Sequence, residues 1–201
     1  MMIRATLAIL GAAFAIAAHA ADEKAWEFVA TAYWNAPRGG DAYASGVFTA
    51  DRDALHLEAR ANYEAVHAQS AFIGYTFSWG KEVTLDLRPI VGGVTGTARG
   101  PIAGLEATVA SGPFDYYIEA EHVNDRVGGN YNYAWTELGW RPVEWLRVGL
   151  VGQHTRVYGT DRETQRGGLL QLTHGKWTLS GYWFNPGTSD QIVNVALGVA
   201  F

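Results

Sequence analysis

Cysteine is missing from all 201 residues, which excludes a disulfide framework and any thiolate metal site. Lysine is almost missing: Lys24, Lys81 and Lys176 are the whole complement. The formal charge is −5, so the basic surplus that nucleic-acid binding requires is absent. No repeat longer than a hairpin is evident, which excludes a solenoid. Beyond residue 20 no apolar run is long enough for a helix to span a bilayer, and mean hydropathy is close to zero at −0.06. That does not exclude a barrel of membrane-spanning strands, which spreads its lipid face over alternate residues.

Residues 1–20 read as an export signal. Arg4 gives the positive start, Thr6 to Ala18 is an uncharged apolar run, and Ala18-His19-Ala20 is a small-x-small cleavage site. The acidic Asp22 and Glu23 follow, not the basic cluster of a stop-transfer helix. The expected division is therefore a signal peptide over 1–20 and one β domain over 21–201.

Aromatic residues and glycine are abundant, and the closing stretch shows how they are used. Val193, Val195, Leu197, Val199 and Phe201 fall on one face of an extended strand; Asn194, Ala196, Gly198 and Ala200 fall on the other. Period-two alternation of this kind marks a strand between two different surroundings. Alternation bounded by turn residues recurs along the chain. It predicts strands over 26–34, 42–50, 55–64, 69–79, 82–92, 102–110, 114–123, 131–141, 144–156, 164–174, 177–184 and 191–201. Gly93 to Pro101 reads as a glycine-rich loop.

The fold expected is all-β: a single transmembrane antiparallel up-and-down barrel of twelve strands, with ten as the rival count. Three regularities support it. Every second connection is a short turn, as at the periplasmic side of bacterial barrels. The smooth faces end in aromatics, with Trp26, Phe77, Trp79, Phe114, Trp140, Trp177 and Phe201 at one end and Trp34, Tyr63 and Trp183 at the other. All three lysines fall at the periplasmic end, and no smooth face carries a charge at mid-depth.

The opposite faces are charged and are expected to line the lumen, because charge against lipid is prohibitive. The candidate pore-lining residues are Glu58, Arg60, Asp86, Arg88, Glu106, Glu119, Glu121, Trp135, Glu137 and Arg147. Arg60, Gly74, Arg88, Glu106, Glu119 and Trp135 are expected at one mid-height belt. Twelve strands leave a narrow aqueous path unless Tyr33, Phe72, Tyr117, Tyr133, Trp135 and Tyr182 fill it. Acids outnumber arginines inside, which favours cations or small polar solutes.

Two other readings stand beside the channel. A non-conducting or lipopolysaccharide-binding barrel would use Arg38, Arg99, Arg126, Arg156 and Arg162 in outer loops, since guanidinium suits phosphate. An outer-rim enzyme would draw on His67, Ser70, His122, Asp125, His154 and Asp161, but these have no motif spacing, so no catalytic activity is assigned. No cofactor or metal is implied.

Export signal, twelve alternating segments, girdles and terminal Phe201 together resemble Gram-negative outer-membrane β-barrels. The resemblance implies outer-membrane residence, contact with outer-membrane lipid and lipopolysaccharide, and reading of the Phe201-ended strand by the barrel-assembly machinery. The size looks like that of the small channels that include oligosaccharide- and nucleoside-specific porins. It implies passive diffusion of small solutes. The oligogalacturonate and sialic-acid channels of that class have a basic lumen, and this one is acidic on balance.

Overall fold

The computed structural model describes residues 25–157 and 162–201. The export signal and Asp161 lie outside the described residues. Antiparallel strands fill the described chain: β1 (Glu27–Pro37), β2 (Tyr43–Arg52), β3 (Leu55–Ala61), β4 (Ala68–Tyr75), β5 (Phe77–Gly80), β6 (Val83–Gly96), β7 (Gly100–Ser111), β8 (Phe114–Val123), β9 (Tyr131–Val143), β10 (Leu146–Val157), β11 (Arg162–His174), β12 (Trp177–Phe184) and β13 (Ile192–Ala200).

Apart from β4 and β5, which do not pair with each other, each strand pairs with its neighbour in sequence; β1 pairs with β13 and β4 with β6, so the sheet closes on itself. Closure leaves no edge to recruit a foreign strand. The β1–β13 seam runs from Val29↔Ala200 to Pro37↔Ile192. Phe28 and Phe201 extend it with reciprocal backbone hydrogen bonds of 3.0 Å, and their rings stack at 5.8 Å.

β4 and β5 are one span interrupted at Thr76. Their registers against β6 agree, Gly74↔Ile90 above the break and Phe77↔Leu87 below it. That places Pro89, which has no N–H to donate, opposite Tyr75, and the ladder lapses there. The barrel therefore has twelve spans.

Two-residue turns at 53–54, 81–82, 112–113, 144–145 and 175–176 share one end with the start of β1 and the end of β13, and the connections at the other end are longer. This is the periplasm-to-outside asymmetry of bacterial barrels. Several boundaries differ from expectation. The glycine-rich stretch is strand: β6 continues to Gly96 and β7 begins at Gly100, paired as Gly93↔Pro101 and Val94↔Gly100. Inward Val94, Ala98 and Ile102 bury together at the outer end, which gives the glycines a reason to stay extended. Asp51 and Arg52 remain in β2, and the turn falls on Asp53 and Ala54, with Asp53 at φ +54°.

The exterior is apolar along its length. Trp34, Ile73, Leu150, Leu170 and Leu197 are all exposed, an apolar surface far beyond what a soluble monomer shows. Phe77 stacks on Trp79 at 5.9 Å on the periplasmic rim, where amphipathic rings favour the headgroup level. Tyr63 is the exception among the expected girdle residues. β3 ends at Ala61 and Asn62 adopts φ +53°, so alternation breaks and Tyr63 turns into the lumen, edge-on to Tyr133.

Candidate functional site: the barrel lumen

The buried groups of this protein are the polar ones, and they lie inside the barrel. Along β3 the inward face is His56, Glu58 and Arg60, each almost fully buried, while Leu57, Ala59 and Ala61 face out. The same alternation brings Glu119 and Glu121 inward from β8 and Trp135 and Glu137 from β9. β10 adds Arg147 to the buried set, and β7 contributes Glu106.

Arg60 is the hub of the outer half. Its Nε donates to Glu58 Oε1 at 2.5 Å and its Nη1 to Glu64 Oε1 at 3.4 Å. Its Nη2 lies 2.8 Å from Glu121 Oε1 and 3.2 Å from Glu119 Oε1, close enough for ion pairing but at angles too oblique for hydrogen bonds. The guanidinium sits between the rings of Phe72 and Tyr63, 4.3 and 4.4 Å from their centroids. Cation–π attraction strengthens when the cation is desolvated, as here. Tyr117 donates to Glu119 Oε2 at 3.1 Å and Ser70 to Glu64 Oε1 at 2.6 Å.

His56 links this hub to a second group below it. Its Nδ1 is 2.6 Å from Asp51 and its Nε2 is 3.2 Å from Glu58, so the ring bridges the two carboxylates. Arg88 lies 3.5 Å from Asp51, donates to Glu106 at 3.2 Å as their neighbouring strands predict, and donates to Thr76 at 2.7 Å. Asp86, also inward and only half-buried, accepts from Ser78 at 2.5 Å.

A third group closes the periplasmic half. Arg147 donates through Nε and Nη2 to Asp115, a forked contact, and through Nη1 to Glu137 at 2.6 Å. Forked guanidinium–carboxylate contacts fix geometry as well as charge. Gly139 makes room for it, because a Cβ there would run into the Arg147 guanidinium. Glu137 also accepts from Trp135 Nε1 at 3.0 Å. The indole ring meets Tyr182 and Phe184 edge-on, each at 5.3 Å. Tyr33, Tyr117, Tyr133, Val151 and Leu169 complete this aromatic wall.

The mid-height belt is real over four of its six expected members. Arg88↔Glu106, Glu106↔Glu119 and Glu119↔Trp135 form one continuous register row. Gly74 and Arg60 do not join it: Gly74 stands opposite His56 and Ile90, and Arg60 opposite Ser70. Counting from the turns neglects the stagger that closing a barrel imposes on its strands. Arg60 nevertheless reaches Glu119 and Glu121, because its long side chain crosses the lumen from β3 to β8.

All ten candidate lining residues face inward, and Tyr33, Phe72, Tyr117, Tyr133, Trp135 and Tyr182 are each buried. The lumen is therefore filled by side chains at the level of these groups. A recess of about 530 Å³ lined by Ala30, Ala32, Gly46, Phe48, Ala59 and Leu197 lies in the outer wall, on the lipid side. Asp51, His56, Tyr63 and Phe184 belong to the interior network and were not among the candidates. His56 was legible, sharing the face of Glu58 and Arg60; Tyr63 was hidden by the backbone break at Asn62.

No family model and no curated protein matches the chain. Among solved structures, the KdgM porin in complex with disordered oligogalacturonate superposes with a TM-score of 0.65, at 7% identity over 86% of this chain and 99% of that one. A second structure of the KdgM porin gives 0.63, at 9% identity over 86% and 98%. The fold is that of a small porin. With its apolar, aromatic-rimmed exterior, this porin-like barrel is an outer-membrane protein.

The outer rim of the porin-like barrel does not assemble a catalytic group from the described residues. Ser70 donates to Glu64, His122 pairs with Asn132 at 2.9 Å and His154 with Thr164 at 2.9 Å. His67 occupies a turn at φ +66°. Asp125 is structural. Burial pushes its carboxyl up, but backbone N–H donors from Arg99, Val127 and Gly128 outweigh that and hold it below the usual aspartate range. A depressed value means the loop's stabilisation is present above the ordinary aspartate pKa, about 3.9. It is lost as pH falls through the lower folded value. We expect the amide resonances of Arg99, Val127 and Gly128 to titrate together with a midpoint below that of an exposed aspartate. A midpoint at or above the ordinary value would contradict this role.

Proposed function

We propose that this barrel is a narrow porin-like channel for passive diffusion of small polar or cationic solutes. The observation that carries this is the charge imbalance inside. Buried or half-buried in the lumen, among the described residues, are nine carboxylates, Asp51, Glu58, Glu64, Asp86, Glu106, Asp115, Glu119, Glu121 and Glu137, against four guanidiniums, Arg60, Arg88, Arg141 and Arg147, and one imidazole, His56. A low-dielectric tube with surplus fixed negative charge attracts cations and repels anions. Acidic sugars are poor substrates for such a lining. The side-chain filling of the lumen supports the second reading, a barrel with no resting conductance. Single-channel recording in a planar bilayer under a salt gradient separates the two. Brief or steady cation-selective openings, reduced by Glu119→Gln or Glu137→Gln, are expected for the channel. A correctly inserted barrel silent under all potentials would leave the non-conducting reading.

The remaining assignments of this proposal rest on the sequence pattern. Residues 1–20 direct export, and lipopolysaccharide is the lipid partner of the outer rim. The Phe201-ended β13 is the segment recognised during assembly, and it also closes the seam against Phe28. Removing Phe201 is expected to leave refolding in detergent nearly intact but to cut the folded amount in cells severalfold, read by heat-modifiable gel migration. Equal folded amounts in cells would count against recognition of that terminus.

A further inference from the structure

On the lipid face, the outer end of β10 and β11 breaks the pattern of the rest of the wall. The row through Val193 and Trp183, both exposed and uncharged, reaches β11 and β10 at Gly168 and Leu150. Beyond that row, toward the outer end, β11 and β10 carry Arg166, then Thr164 and His154, then Arg156. Inward Val151, Gln165, Leu169 and Gln171 are buried, which fixes Arg166 on the outside, and Arg156 shares its face with exposed Leu150.

These side chains form one continuous patch. His154 and Thr164 are direct cross-strand partners, joined by the 2.9 Å bond between Nδ1 and Oγ1. Arg156 stands two residues above His154 on the same face, and Arg166 two residues below Thr164. One register row extends the patch sideways through Arg156↔Asn132 and Asn132↔His122. Among the described residues, no carboxylate lies within ion-pair distance of Arg156 or Arg166, and both are exposed. Arg38 differs, since its guanidinium donates to Thr188 O at 3.2 Å and ties two loops together. Arg156, the last residue of the strand expected over 144–156, is the last outward residue of β10.

An unneutralised guanidinium on the lipid side is costly unless its head meets the headgroup layer, where a long side chain can present it. Two of them there, beside hydroxyl, imidazole and amide groups, form a site for an anion that also carries hydroxyls. Guanidinium matches phosphate oxygens in a forked geometry, and basic clusters at membrane level hold phosphorylated headgroups. We propose that Arg156 and Arg166, with His154 and Thr164 between them, bind the phosphorylated sugar headgroup of an outer-leaflet glycolipid. The inference rests on the lipopolysaccharide-partner reading and is independent of whether the barrel conducts.

The test uses the refolded full barrel in detergent, titrated with diphosphoryl lipid A, dephosphorylated lipid A and phosphatidylglycerol. Bound lipid is counted by native mass spectrometry. Wild type is expected to bind diphosphoryl lipid A best, and Arg156→Gln/Arg166→Gln to weaken it about tenfold, the size of losing a charge-assisted contact. Lys81→Gln, exposed in the 81–82 turn at the opposite end of the barrel, is expected to bind as wild type does. Arg166→Gln alone, with a loss of about threefold, serves if the double variant does not refold. Undiminished binding by the rim variants overturns the site while leaving the lipid partner standing. Equal binding of dephosphorylated lipid A or phosphatidylglycerol by wild type overturns the ligand class, and no lipid A binding by wild type overturns the partner reading itself.

Discussion

Arg60→Ala is expected to destabilise the barrel by about 3–5 kcal/mol, the cost of stripping the counter-charge from buried ions. The guanidinium touches Glu58, Glu64, Glu119 and Glu121, all on the inward side. Without it these carboxylates face one another across a filled lumen. The cheapest response is to admit water and counterions, so the variant should also conduct, with cation preference. Urea unfolding in lipid vesicles, followed by tryptophan fluorescence, reads the first effect and a planar bilayer the second. Arg60→Ala/Glu121→Gln should recover part of the loss, because one of the orphaned charges is gone. The resulting double-mutant coupling isolates the pair from changes in packing. Arg60→Lys should sit between, keeping the charge but losing the planar stack between Phe72 and Tyr63. If Arg60→Ala were as stable and as silent as the parent, the hub would hold neither the fold nor the closure.

The sequence showed the barrel wall well because alternation is a local signal. Leu57, Ala59 and Ala61 against His56, Glu58 and Arg60 needs no tertiary knowledge, and the structure orients both sets as read. Arg88 and Glu106 were legible as partners for the same reason: neighbouring strands and tight turns fix register over short distances. What was not legible depends on closure. The contact of Arg60 with Glu119 and Glu121 joins strands far apart in the sheet, and its height depends on stagger, which no hairpin reveals. Backbone exceptions were equally silent. A left-handed Asn62 reverses Tyr63, and a strand held by buried Val94, Ala98 and Ile102 replaces an apparent glycine loop. The six aromatics that fill the lumen were identifiable singly, but whether they meet was a question of barrel geometry.

Trp135→Ala tests that filling directly. The indole is wholly buried, lies edge-on to Tyr182 and Phe184, and donates to Glu137. Truncating a buried tryptophan costs about 3–5 kcal/mol in a dry core. Here the vacated space adjoins Glu119 and Glu137, so water should enter and offset part of that cost. The expected result is a loss at the lower end of the range, together with steady conductance where the parent opens rarely or not at all. Trp135→Phe separates the two contributions of the indole. It keeps an aromatic ring against Tyr182 and Phe184 but removes the N–H, so about 1–3 kcal/mol should be lost with that donor to Glu137 while the lumen stays closed. Glu137 is also held by Arg147, which keeps its carboxylate in place in either variant. A Trp135→Ala barrel that is destabilised yet still silent would show that the remaining rings close the lumen without the indole. One that is neither destabilised nor conducting would mean that Trp135 neither packs the interior nor bars the way through it.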